Sequence, residues 1–249
     1  MNTSLDAKQY VAPGTGLHSF IGWSLLILFG PLIFIALTLA SYGVLPIVLI
    51  VTWLTQRKLL KAKLHGSALK VDEYQFPQIY NSARTMSERL GLAECPDIYI
   101  VEGNQQNAFA MKKGSKRYVV LIDDIVFGAL ATGNTGVLDF IIGHELSHHA
   151  LGHTGHFRSL IRSYPTLSRL DELSCDAVAH ALIGNKESAY EALTLLLVGP
   201  QLFQSVNKEA LHRQASEAIG DKYAKKAERK LTHPLLLRRY ARLNELAGN

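Results

Sequence analysis

A long stretch without any charged side chain constrains the fold of this chain more than any other feature. No Asp, Glu, Lys or Arg occurs between Lys8 and Arg57, and residues 18–56 are apolar almost throughout. One membrane span needs about 20 apolar residues, so we expect a two-pass transmembrane hairpin that turns at residues 41–43. Because residues 44–56 cover only about 20 Å of a ~30 Å hydrocarbon core, the second pass either extends past Arg57, tilts or is partly re-entrant. The alternative is a core hairpin of a soluble protein.

The residues after this stretch predict its orientation. Arg57, Lys58, Lys61 and Lys63 follow at once, and no acidic residue occurs before Asp72. Basic flanks of membrane spans lie on the cytoplasmic side. We therefore expect a multi-pass membrane protein, with the lipid bilayer as a partner and the soluble part in the cytoplasm.

Composition predicts one soluble domain after the hairpin. Of the 249 residues 19% are charged, against about 25% in an average soluble domain, and the deficit lies in the charge-free stretch. The two cysteines, Cys95 and Cys175, are far apart, which favours reduced thiols over a disulfide framework. We expect four parts: an N-terminal tail (1–17), the hairpin (18–56), a basic juxtamembrane linker (57–69) and the soluble domain (70–249).

Hydrophobic periodicity predicts a helix-rich α+β fold with a small sheet. Gly114-Ser115-Lys116 is expected to form a hairpin turn, and an apolar helix is expected over residues 137–151. The next helix has Ser168 as its candidate N-cap and Gly184 as its stop. The three expected strands are residues 97–101, 107–111 and 118–122.

The helix at residues 137–151 carries an HExxH pattern. His144 and His148 are four residues apart, so they share one helix face and can ligate one Zn²⁺. Glu145 lies beside them and can hold a water, take its proton and pass the proton to a leaving amine. The pattern predicts a catalytic site with one zinc ion and Glu145 as general base. The alternative is a pair of histidines on a solvated helix face.

Catalytic zinc takes three protein ligands and keeps one open position. A third histidine at the metzincin spacing is absent, because Leu151 and Thr154 occupy the required positions. Glu172 and Asp176 share one face of the next predicted helix, among apolar neighbours. We assign Glu172 as the third ligand, whereas Asp176 orients a ligand imidazole or pairs with an arginine. The other histidines nearby are expected at the surface or behind the ligands: His149, His153 and His156.

With these motifs the chain resembles the membrane-associated gluzincin peptidases, the family of the CAAX prenyl proteases and the HtpX-type heat-shock proteases. The resemblance implies a zincin-like metalloprotease domain at residues 70–249. It also implies a membrane-anchored zinc metalloendopeptidase that acts on peptide or protein substrates in protein quality control. Four motifs carry it in order: Asn107-Ala108-Phe109-Ala110, residues 144–148, residues 172–176, and Thr232-His233-Pro234 with Arg239.

The resemblance also assigns roles to residues outside the HExxH pattern. His233 would stabilise the oxyanion of the tetrahedral intermediate, and Arg239 would pair with Asp176 or position His233. An edge strand would bind extended substrate by main-chain hydrogen bonds, and its residues are Asn107, Ala108, Phe109 and Ala110.

The chain departs from the family in three places. Only 23 residues separate His148 from Glu172, and they include arginines, so the membrane helices that HtpX-type members insert there do not fit. The chain is also too short for the intramembrane chamber of the prenyl proteases, so we do not expect prenylated substrates. Cys175 stands where the family commonly has alanine, and we interpret it as a packed thiol.

Two further functions compete with a peptidase. A non-catalytic, zinc-stabilised membrane module would bind a protein partner, but the intact Glu145 argues against it. The basic residues between Lys222 and Lys230 alternate with acidic ones and have no aromatic stacking platform. We therefore predict an ordinary charged helix face there and no nucleic-acid partner.

Overall fold

The computed structural model describes residues 4–103, 107–155 and 157–246. Ten α-helices and a four-stranded sheet form within these residues, which confirms the expected helix-rich α+β fold with an apolar N-terminal helix. The helices are α1 (Thr15–Ala40), α2 (Val44–Ser67), α3 (Pro77–Arg89), α4 (Asp123–Ala131), α5 (Thr135–Ala150), α6 (Pro165–Ile183), α7 (Lys186–Val198), α8 (Lys208–Gly220), α9 (Lys222–Glu228) and α10 (Leu236–Leu246). The strands are β1 (Ala68–Val71), β2 (Asp97–Val101), β3 (Ala108–Lys113) and β4 (Lys116–Ile122).

The charge-free stretch forms two helices joined by a tight turn. Gly43, with φ of 82°, adopts the left-handed conformation that starts the return. Helix α1 has a mean hydropathy of 2.4 and 6% of its most apolar window is buried; among the described residues it is the helix long and apolar enough to span a membrane. The apolar part of α2, Val44–Gln56, is shorter, but the helix continues to Ser67 without a break. A second full pass is therefore still a prediction.

The segment before α1 lies against the soluble domain. Ala7 and Ala12 are buried, and the Ala12 amide donates to Ser174 Oγ in α6 at 2.9 Å. The described part of the expected tail is therefore held to the domain. This contact fixes where α1 leaves it.

The end of α2 is attached to the sheet. Leu64 is 4% exposed and contacts Tyr99, Tyr118 and Val120 on the face of the sheet away from the main core. The expected linker, residues 57–69, is helical up to Ser67 and then enters β1. Both ends of the hairpin are thus fixed to the domain.

The sheet has the order β1-β2-β4-β3, which leaves β3 at an edge. Strand β4 is parallel to β2 and antiparallel to β3. Gly114, with φ of 61°, begins the expected turn between β3 and β4. Strand β1 was not predicted.

Helix α5 lies at the centre of the domain and presents its HExxH residues to neighbours on several sides. Ile142 and Leu146 are fully buried in a core shared with the sheet and with α6 and α7. Helix α6 begins at Pro165, so the prediction of an N-cap at Ser168 was wrong. Proline fits the first position of a helix because the amide it lacks has no partner there. Gly184, with φ of 62°, ends α6 as expected.

Candidate active site

Helices α5 and α6 bring three side chains of the predicted metal site together. His144 and His148 lie one turn apart on α5, with ring centroids 5.1 Å apart, and both are buried. Glu172 on α6 meets both of them. Its Oε2 lies 3.3 Å from His144 Nε2, and its Oε1 lies 3.4 Å from His148 Nε2. The two Nε2 atoms and one carboxylate therefore converge.

The protonation of these groups follows from their proximity. Burial alone would raise the pKa of Glu172, but hydrogen bonds with the imidazoles hold it well below its usual value. Burial alone would lower the pKa of His144, but its hydrogen bonds with Asp176 and Glu172 raise it to about 10. The contacts with the imidazoles thus favour the charged form of the buried Glu172 carboxylate.

The outer nitrogen of His144 is held by a buried ion pair. Its Nδ1 lies 2.9 Å from Asp176 Oδ1. Arg239 donates to both oxygens of Asp176, from Nε to Oδ2 at 2.8 Å and from Nη2 to Oδ1 at 2.6 Å. Burial would raise the pKa of Asp176, but the Arg239 guanidinium lowers it to about 2. The carboxylate therefore stays charged and fixes the orientation of the His144 ring.

The outer nitrogen of His148 is held by a second series of contacts. Its Nδ1 lies 3.1 Å from Nδ1 of His153, whose Nε2 lies 3.3 Å from Asp171 Oδ1. Arg158 donates to both oxygens of Asp171, at 2.7 and 2.8 Å. On the side away from Glu172, each imidazole thus contacts other side chains, and each series of contacts includes an arginine–aspartate pair.

Cys175 is a second candidate for the third ligand. A ligand atom of this buried residue lies within 4.8 Å of ligand atoms of His144 and His148. Burial, followed by the nearby carboxylates of Glu172 and Glu145, raises the pKa of the thiol well above its usual value. Two imidazoles with a carboxylate or a thiolate form a donor set that suits zinc. The residues therefore fit a zinc ion with either third ligand.

Glu145 lines the cleft beside this donor set. The cleft has a volume of about 320 Å³, and His144, His148 and Glu172 also contribute to its wall. Glu145 is 6% exposed. A carboxylate at this position can reach a water or a peptide bound in the cleft.

The two other motifs reach the same cleft. His233, before α10, is more than half exposed, and its Nδ1 lies 3.1 Å from Glu172 Oε2. Asn107, Ala108, Phe109 and Ala110 also line the cleft. The structure thus brings together all the predicted site residues except Asp176, which lies behind His144.

The register of β3 determines which backbone groups face outward. The Ile122 amide donates to Asn107 O at 3.0 Å, and Phe109 pairs with Val120 in the same register. Backbone groups alternate in direction along an antiparallel strand. The amides and carbonyls of Ala108 and Ala110 therefore point away from β4, along the free edge.

Comparison with known proteins relates one part of the chain to a family of peptidases. Residues 73–164, which include the HExxH helix, match Peptidase family M48. The matched residues make up less than half of the chain, and this part of it is similar to the M48 peptidases. This match and the relatives below confirm the resemblance to the HtpX-type peptidases. The matched residues end before Glu172, so the assignment of Glu172, Asp176, His233 and Arg239 rests on geometry and motif order.

Several curated relatives share part of this sequence, and each is named Protease HtpX homolog. The one from Thermococcus kodakarensis is 37% identical over 78 residues, which are 31% of this chain and 26% of the relative. The one from Thermodesulfovibrio yellowstonii is 33% identical over 81 residues (32% and 27%). The one from Streptococcus thermophilus is 29% identical over 143 residues (51% and 45%). The matched part thus spans between a quarter and half of each relative. No solved structure matches the chain.

The sequence did not predict which residues hold the His148 ring in its orientation. The prediction placed His149 and His153 at the surface or behind the ligands, and both are buried. His149 contacts the Tyr118 carbonyl in β4 through Nε2 at 3.1 Å, whereas His153 lies behind His148. The position of His153 shortly after the end of α5 could have indicated its contact with His148. The contacts of His153 and Arg158 with Asp171 form only through the tertiary fold. His156 lies outside the described residues.

Proposed function

We propose that this protein is a membrane-anchored, zinc-dependent metalloendopeptidase. The observation that carries the proposal is the convergence of His144 Nε2, His148 Nε2 and the Glu172 carboxylate beside Glu145 in one cleft. The M48 match and the names of the relatives support the same chemistry. His144, His148 and Glu172 would hold one zinc ion. When bound, the ion would supply a Lewis acid that polarises a peptide carbonyl and activates water.

The side chains around the cleft perform the proton transfers. Glu145 takes a proton from the attacking water and delivers it to the nitrogen of the leaving amine. His233 lies at the exposed side of the cleft, where it donates a hydrogen bond to the oxyanion that forms from the peptide carbonyl. Asp176 and Arg239 hold the His144 ring in its orientation.

Substrate binds as an additional strand. The outward amides and carbonyls of Ala108 and Ala110 form hydrogen bonds with the main chain of an extended peptide. Main-chain recognition depends little on side chains and therefore suits unfolded or damaged proteins, as protein quality control requires. The basic residues that follow the apolar stretch support the proposal that the domain lies at the cytoplasmic face of a bacterial inner membrane.

Metal analysis tests the ligand assignment. Purified protein in detergent is loaded with zinc, and bound metal is measured in wild type and in His144→Ala, Glu172→Ala and Cys175→Ala variants. We expect one zinc per wild-type chain, strong loss in the first two variants and retention in Cys175→Ala. His65→Ala and Glu209→Ala are matched controls, because both residues are exposed and outside the cleft. Loss of zinc in Cys175→Ala with retention in Glu172→Ala would reassign the third ligand.

Peptide hydrolysis by the same samples tests catalysis. Glu145→Gln removes the proton acceptor but none of the proposed ligands. We expect it to bind zinc normally and to lose at least about 100-fold in kcat on casein peptides, the lower range for a general base. A zinc-loaded wild type without turnover on any peptide would favour the non-catalytic module instead.

A further inference from the structure

The connection between α5 and α6 exposes large apolar side chains next to the membrane helix. Phe157 is 74% exposed and Leu160 is 55% exposed. Phe157 precedes the short 3₁₀ helix Arg158–Leu160, Leu160 is its last residue, and the next residue, Ile161, is buried. Isolated apolar residues are common on surfaces, but their position beside a membrane span is informative.

Two contacts fix this connection to α1. Ile161 packs against Gly22, where the Cβ of a larger residue would lie 3.4 Å from the Ile161 Cβ. One turn earlier on α1, His18 Nδ1 lies 2.8 Å from the Tyr164 hydroxyl. The connection therefore lies alongside residues 18–22 of α1.

Helix geometry gives the depth of these contacts. With the turn at residues 41–43 placed at the far boundary of the hydrocarbon core, Gly22 lies about 27 Å from it and His18 about 33 Å, at 1.5 Å per residue. The core is about 30 Å thick, so its near boundary lies between these two residues. Lys58 on α2 lies about 21 Å from the turn, and a long lysine side chain reaches the headgroups from there. Helix α1 thus places Gly22 in the near interfacial region, and the position of Lys58 on α2 is compatible with the same depth of the hairpin.

We propose that the α5–α6 connection, with Phe157 and Leu160, inserts into the interface of the bilayer that α1 crosses. Its occupant is lipid, because the connection continues the lipid-facing surface of α1. Tyr164, which contacts His18, lies at the headgroup level that tyrosine favours in membrane proteins.

The position of the cleft gives this contact a consequence for substrate choice. Arg162, between Ile161 and Tyr164, lines the cleft together with Glu145. A connection held at the bilayer surface brings this rim of the cleft to the membrane. The substrates are then segments of polypeptide close to the membrane surface. The inference rests on the proposed anchoring by α1, but its test needs no proteolysis.

Tryptophan fluorescence in vesicles tests the insertion. Three full-length single-tryptophan proteins are reconstituted into vesicles with or without lipids brominated near the headgroup end of the acyl chains. One keeps Trp23 and carries Trp53→Phe. The others carry Trp23→Phe and Trp53→Phe with either Phe157→Trp or Phe127→Trp. Phe127 is the matched control, since it is 67% exposed but lies on α4, away from α1.

We expect brominated lipid to quench Trp23 and Phe157→Trp at least about twofold more strongly than Phe127→Trp, because an interfacial segment lies ~5–10 Å into the headgroup and acyl boundary. Quenching of Trp23 without quenching of Phe157→Trp would overturn the insertion and leave the anchoring intact. Absence of quenching at Trp23 would refute the anchoring itself. Equal quenching of the two substituted positions would show that the connection has no special contact with lipid, and would also overturn the inference.

Discussion

Nδ1 of His148 lies 3.1 Å from Nδ1 of His153. Two ring nitrogens at this distance need one donor and one acceptor. Because Nε2 of His148 faces Glu172 as a ligand atom would, its Nδ1 carries the proton and donates to His153. His153 Nε2 then faces Asp171 Oδ1, which lies 3.3 Å away. Burial, more than any nearby charge, lowers the pKa of His153 to about 2, so this imidazole is neutral as the assignment requires.

This arrangement predicts that His153 positions the His148 ring. A His153→Ala variant should bind zinc about 10–100-fold more weakly, the usual effect of removing the partner of a ligand histidine. A His153→Gln variant should recover part of the affinity, because its side-chain oxygen can accept from His148. Competition with a calibrated zinc chelator measures the zinc affinity of both variants, and His65→Ala serves as the control. Equal losses in the two variants would indicate a purely structural role for His153.

The buried pair of Asp176 and Arg239 predicts a large and non-additive effect on stability. Asp176→Asn removes the carboxylate that binds Arg239 and leaves it the more distant Glu172 Oε2, 4.0 Å from its Nη1, which should lower the free energy of unfolding by about 3 kcal/mol. A double variant with Arg239→Met should be more stable than the sum of the single effects predicts, because neither charge is then left alone. In this double-mutant cycle, the free energies of unfolding of the wild type, the two single variants and the double variant are measured in detergent, with zinc removed by a chelator.

An exposed ion pair provides the control for this cycle. Arg84 and Glu88 are four residues apart on α3, with 3.2 Å between Nε and Oε1, and both side chains are more than half exposed. Glu88→Gln should change the free energy of unfolding by less than about 1 kcal/mol. If Glu88→Gln and Asp176→Asn lowered the free energy of unfolding by similar amounts, the buried pair would not stabilise the domain more than an exposed one.

The elements that the sequence predicted well are those with local signals. Residues 97–101 are a run of β-forming residues, buried at the three central positions, and they form β2 over the expected range. Gly184 ends α6 because its left-handed conformation suits glycine. Helix α5 was evident from its apolar run and motif. In each case the physical cause lies within a few neighbouring residues.

The elements that were missed depend on distant residues. Strand β1 contains two exposed residues, Leu69 and Lys70, and forms because its backbone pairs with β2. The roles of His153 and Asp171 depend on how α5 approaches α6. In the same way, a motif could suggest Glu172, but only the fold brings its carboxylate within 3.4 Å of both imidazoles.

The contact between α1 and Ile161 predicts a size limit at Gly22. Gly22→Ala places its Cβ at 3.4 Å from Ile161 and should be tolerated, whereas Gly22→Leu should separate α1 from the connection. Overpacking of this kind costs about 1–3 kcal/mol. Gly30→Leu is the matched control, since a Cβ there meets only Leu26 of the same helix. The unfolding temperature in detergent should fall for Gly22→Leu and stay unchanged for Gly30→Leu. An equal fall in both variants would mean that leucine destabilises the helix itself and not its contact with Ile161.

The outward backbone of β3 predicts how proline affects substrate binding. Proline at Ala110 removes an amide that points away from β4, so it should leave the β3–β4 pairing intact, as at an edge strand. The loss of a main-chain hydrogen bond to the peptide, worth about 0.5–1.5 kcal/mol, should raise KM roughly 2–10-fold. Lys112 has the same orientation in the register but does not line the cleft. Lys112→Pro should therefore leave KM nearly unchanged. If both variants raised KM equally while the unfolding temperature stayed constant, the peptide would not bind along this part of the edge.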